Sequence, residues 1–102
     1  MGSDPSGALA DAQHHFYSGR YEAAAALALD VREMDANSLA ASELRSSALL
    51  FQIKRTFGEP DDKEKAWRAC AVCRELMASF MEETTLGKAL ARAQLERRPA
   101  DD

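Results

Sequence analysis

Small residues at helical spacing, framed by two turn signals, constrain this 102-residue chain more than any other feature. Gly19 closes one helix and Tyr21-Glu22-Ala23-Ala24 opens the next. Ala24, Leu27, Ala28, Val31 and Met34 then recur at three-four spacing until Asp35-Ala36-Asn37-Ser38 supplies turn and cap chemistry. Alanine-sized side chains on the buried face of a helix let a neighbouring backbone approach closely. The pattern therefore predicts two helices packed as a tight antiparallel hairpin.

The rest of the chain extends that expectation. Of three prolines and five glycines, Pro5, Pro99, Gly2 and Gly7 lie near the ends. Ala, Leu, Glu, Arg and Lys dominate and β-branched residues are scarce, which predicts an all-α fold. The length suits one domain. Residues 1–7 read as a disordered leader, 8–98 as a single helical domain and 99–102 as a terminal turn or tail.

Five helices are expected, in an antiparallel hairpin stack. The first, 8–18, places Leu9, Ala12, Gln13 and Phe16 on one face, and the second is 21–34. The third, 39–57, carries two apolar stripes (Leu44, Ala48, Phe51 and Leu49, Ile53, Phe57) with Leu50 between them. So wide an arc is that of a middle helix covered on more than one side. Gly58 closes it, and Glu59-Pro60-Asp61-Asp62 opens a fourth helix, 61–80, striped by Ala66, Ala69, Cys70, Cys73, Leu76, Met77 and Phe80. A fifth is expected over 85–97, with Thr84 or Thr85 as its cap.

The segment from Pro5 to Ser38 has the length of about 34 residues typical of the tetratricopeptide repeat, and it resembles that family. Tyr21, Ala24 and Asp35-Ala36-Asn37 fall where the family places its turn aromatic, its small residue and its closing turn, while Ala12 falls at the small position of the first helix. Ala36 stands where proline is usual, His15 where tyrosine is common, and no tryptophan opens the unit. A second unit from Leu39 keeps the helix pair with a longer first helix. The resemblance implies a protein-interaction scaffold in which the first helix of each unit lines a concave groove. Its lining would be Leu9, Gln13, Phe16 and Tyr17 on the first helix and Glu43, Ser47, Leu50, Phe51 and Lys54 on the third. The family's carboxylate clamp of lysine and asparagine has no counterpart on the first helix.

Other chemistries find little support. A net charge of −4 argues against a nucleic-acid partner, which calls for a basic face. No apolar run approaches the roughly 20 residues of a spanning helix. Cys70-Ala71-Val72-Cys73 has metal and redox spacing, but Arg74 follows where a haem site needs histidine, and a zinc site lacks further ligands nearby. Both cysteines read as small apolar residues on a buried stripe. They are expected to be reduced thiols in a cytoplasmic protein, because residues three apart on a helix are poorly placed to pair. His14 and His15 point about 100° apart on a helix and cannot readily share a metal. Asp61, Asp62, Glu64, Glu82 and Glu83 fall in helix first turns or linkers. With no phosphate loop or nucleophile elbow, the chain is expected to be no enzyme, to use no cofactor or metal, and to bind a protein or peptide. Self-association as a homodimer is the competing expectation, and a Cys-x-x-Cys redox or metal module a third.

Overall fold

The computed structural model describes residues 5–97, which form five α-helices and no strand. They are α1 (Pro5–Tyr17), α2 (Tyr21–Met34), α3 (Leu39–Phe57), α4 (Lys63–Ala69) and α5 (Ala71–Arg97). The all-α expectation holds, and α2 and α3 have the expected bounds. Residues 1–4 of the leader and 99–102 of the tail lie outside the described residues. α1 begins at Pro5, three residues before the expected start, because proline is well suited to a helix's first position.

The turns follow from local chemistry. Gly19 takes φ 80°, and α1 ends in a Schellman motif: the Arg20 N–H donates to the His15 carbonyl (2.9 Å) and the Gly19 N–H to that of Phe16 (3.0 Å). After α2, the Asn37 N–H donates to Asp35 Oδ1 (3.1 Å), and Ser38 caps α3 by accepting from the Ala41 N–H (3.1 Å). Gly58, at φ 66°, ends α3, and Asp62 caps α4 through the Lys65 N–H.

α2, α3 and α5 pack in sequence, and α1 lies on the α2 side of α3. The α3 end returns to the α1–α2 turn, where Arg55 Nη1 donates to the Gly19 carbonyl (2.8 Å), so α2 and α3 are antiparallel. α5 runs back along α3: Gln94 bonds the Asn37 carbonyl, Gly87 abuts Ser42, and Glu83 meets Arg45. The core is built on alanine. Ala12, Ala24, Ala25, Ala28, Ala41 and Ala48 are buried, with Val31, Leu49, Ile53 and Leu90 as larger members. Phe16, Leu76 and Phe80 close over the Ala24–Ala25–Ala48–Leu49 cluster. Each alanine removes little apolar surface from water, so stability comes from backbones brought close enough for dense dispersion contact.

Three expectations fail between residues 61 and 97. No break occurs over 81–84, and α5 runs unbroken from Ala71 to Arg97. The hydroxyls of Thr84 and Thr85 both donate to the Met81 carbonyl (3.0 and 2.9 Å), the back-bonding of threonine inside a helix, and neither caps a new one. The break falls instead at Cys70, whose φ −99° and ψ 87° lie outside the helical range. There Cys70 and Cys73 are joined as a disulfide, and no free cysteine remains. The expectation of two reduced thiols is overturned: it assumed one continuous helix, and the helix stops at the first cysteine. The cytoplasmic setting loses the support it drew from those thiols. No helix among the described residues is long and apolar enough to cross a membrane.

Candidate functional site

An aromatic cluster forms where α1, the α1–α2 turn and α3 meet. Phe16 stands in the last turn of α1, Tyr21 opens α2 directly after the glycine turn, and Phe51 comes from α3. The Phe16 ring lies edge-on to Phe51 at 5.5 Å between centroids and tilted to Tyr21 at 5.4 Å. Tyr21 stacks on Phe51 at 5.1 Å. Tyr17 leans edge-on against Phe16 at 5.6 Å and is 83% exposed. Two cations border the rings, with Lys54 Nζ 5.2 Å from the Phe51 centroid and the Arg55 guanidinium 4.5 Å from that of Tyr21. One side of this cluster seals the core through Phe16, and the other presents Tyr17 and the 38%-exposed Phe51 to solvent.

Four of the nine residues read from the sequence thus converge: Phe16, Tyr17, Phe51 and Lys54. Leu9 is half-buried and Gln13 exposed, both earlier on α1, and Leu50 is half-buried on α3. Glu43 and Ser47 serve another place. They line a groove of about 560 Å³ between α3 and α5, with Leu39, Ser42, Gly87 and Lys88 among the other lining residues. Tyr21 and Arg55 were missed. Sequence position marks Tyr21 only as the turn aromatic, and the Schellman turn is what folds its ring back onto Phe51.

Glu83, expected among the acids of helix first turns or linkers, lies in the interior of α5. It is the largest of the fully buried side chains, at 1% exposure. Its Oε1 accepts from Arg45 Nη1 on α3 (2.6 Å) and Arg32 Nη2 on α2 (3.0 Å), so one carboxylate ties three helices. Burial works to raise its pKa, but the hydrogen bond from Arg45 and the charge and hydrogen bond of Arg32 outweigh it, holding the carboxyl below its ordinary value, while the Ser42 hydroxyl donates to the Glu83 backbone carbonyl (3.4 Å). The only available signal was indirect: basic residues on the otherwise apolar sides of α2 and α3.

His14 is exposed, and His15 is half-buried with its Nδ1 accepting from Arg20 Nε (2.7 Å). Among the described residues no three His, Cys, Asp or Glu side chains gather as metal ligands. Comparison with known proteins finds no matching family model, curated protein or solved structure.

Proposed function

We propose that the chain is a protein-interaction module of the tetratricopeptide type, and that the aromatic face of α1 and α3 holds a peptide segment of its partner. The observation that carries this reading is the exposed Tyr17–Phe51 pair backed by a packed ring cluster and flanked by Lys54. Rigid aromatic rings offer large contact area at small entropic cost, and a cation beside them selects for acid in the ligand. Phe16 and Phe51 stand about one 34-residue repeat length apart, which agrees with side-by-side first helices of successive units. The occupant is a segment with an apolar or aromatic anchor followed by acidic residues.

Panning a random peptide library on the folded chain tests this. Enrichment of acidic peptides with an aromatic or aliphatic anchor is expected, and its loss in the Tyr17→Ser, Lys54→Glu variant. Both positions are exposed, so circular dichroism should be unchanged. Failure to enrich any peptide, or equal enrichment on the variant, rejects the reading.

A second reading, self-association, draws on the α3–α5 groove. It continues into a depression lined by Leu39, Ala91, Gln94 and Leu95, and Leu95 is 68% exposed. A sedimenting species that stays at 11.2 kDa at all concentrations excludes it.

A further inference from the structure

We infer that Cys70 and Cys73 form a thiol–disulfide exchange site whose oxidation state decides whether α4 and α5 are two helices or one. Side chains three apart on a continuous helix have Cβ atoms about 5–6 Å apart, whereas a disulfide needs about 3.5–4.5 Å. The bond and an unbroken helix therefore exclude each other at this spacing. In the bonded state the helix is interrupted at Cys70 and nowhere else between Lys63 and Arg97. No glycine or proline explains the interruption. The sequence there is Trp67-Arg68-Ala69-Cys70-Ala71-Val72-Cys73, and its apolar residues keep helical spacing across the break.

The broken state has its own weak supports. The Cys73 N–H donates to Cys70 Sγ (3.1 Å), so the sulfur stands where a side-chain cap of α5 would. Arg74 Nη1 reaches back to the carbonyls of Trp67 (3.0 Å) and Arg68 (2.6 Å) at the end of α4. Trp67 sits edge-on to Phe57 at 5.5 Å. On reduction the carbonyls at the end of α4 regain i→i+4 backbone partners and no cap is needed. The register that sets Ser42 beside Gly87 and Arg45 beside Glu83 would then place Phe57 opposite Val72. A continuous helix carries Trp67 past the end of α3 and off Phe57.

The partner is a dithiol or its disulfide. Cys70 is half-buried and Cys73 has no exposure, so attack comes at Cys70. A thiolate of the dithiol bonds to Cys70 Sγ, the Cys70–Cys73 bond breaks, and Cys73 leaves as a thiolate and takes a proton. The second thiol of the reductant then attacks its own sulfur in the mixed disulfide and releases Cys70. Two electrons and two protons pass from the dithiol to the pair, and the dithiol becomes a disulfide.

The test compares the whole chain after treatment with a dithiol and after air or diamide oxidation, alongside the Cys70→Ser, Cys73→Ser variant. Expected are two titratable thiols after reduction and none after oxidation. On reduction, and in the variant, Trp67 emission should shift to longer wavelength and the Cα resonances of residues 69–71 should move to helical values. Two free thiols that survive oxidation would overturn the site. Unchanged emission and non-helical shifts in both the reduced chain and the variant would overturn the coupling, leaving a break imposed by Trp67 and Arg74.

Discussion

At the scale of single residues, Glu83 illustrates how a polar group becomes part of a core. A carboxylate taken out of water costs several kcal/mol unless its partners are well placed, and a buried ion pair is weak evidence of net stability. Its contribution here is register: Arg32 and Arg45 approach the same oxygen from two helices, so sliding α5 along α3 by one turn strands all three charges. Glu83→Ala should lower unfolding free energy by about 3 kcal/mol in urea titrations, because two half-buried guanidiniums lose their counter-charge. The pH dependence follows from the lowered folded-state pKa. Stability from Glu83 is fully present above the ordinary value of 4.5 and is lost as pH falls through the folded-state value. Between those limits the Glu83→Gln variant should lose stability with acid less steeply than the parent chain.

The same contact sets the sign of another substitution. A Cβ at Gly87 would lie 3.0 Å from Ser42 Oγ, tighter than ordinary packing. Gly87→Ala should therefore forfeit the gain of about 0.5–1 kcal/mol expected from alanine inside a helix. In a Ser42→Ala background the obstructing oxygen is gone, and the same change should raise the midpoint of denaturation. A double-mutant cycle in which the Gly87 effect is identical in both backgrounds would show that the approach of α3 and α5 does not matter.

Among the elements, α5 is the one whose length depends on its neighbours. Thr84 and Thr85 hydroxyls and two acids read like a helix start, but each finds a place inside a continuous helix once Glu83 is neutralised and both hydroxyls turn back to Met81. Thr85→Pro separates the alternatives. Proline at the first position of a new helix would be tolerated, whereas inside α5 it should cost about 3 kcal/mol or more. Thermal unfolding of that variant near the parent's midpoint would contradict an unbroken α5. Cys70 marks the opposite case, where nothing in the residue pattern calls for a stop and a covalent bond between neighbours on the chain imposes one.

The whole molecule is a slab, with extents of 53 × 36 × 20 Å and a Cα radius of gyration of 15.8 Å. A closed globule of this length would have a radius of about 13 Å. Helices laid side by side, each touching mainly its neighbours, account for the difference and leave the α1–α3 edge and the α3–α5 groove facing solvent. Small-angle scattering of the dilute chain should return a radius near 16 Å rather than 13 Å, and the smaller value would mean that the stack folds over on itself. The open geometry leaves two faces uncovered, the aromatic edge of α1 and α3 and the α3–α5 groove, and the two proposed readings rest on these faces.

Local chemistry in the sequence determined the helical class, the bounds of α2 and α3, the glycine turn after α1 and the alanine seam, because each rests on residues within one or two turns of each other. The aromatic half of the candidate face came from the repeat resemblance, which sets the first helices of successive units side by side and so pairs Phe16 and Tyr17 with Phe51 and Lys54. Tertiary structure alone decided the rest. Glu83 is a core residue only because α2 and α3 bring it two arginines, and Glu43 and Ser47 face α5 rather than α1 because of where α5 packs. Charge neutralisation and groove membership are properties of residues that meet in space, and spacing along a single chain does not contain them.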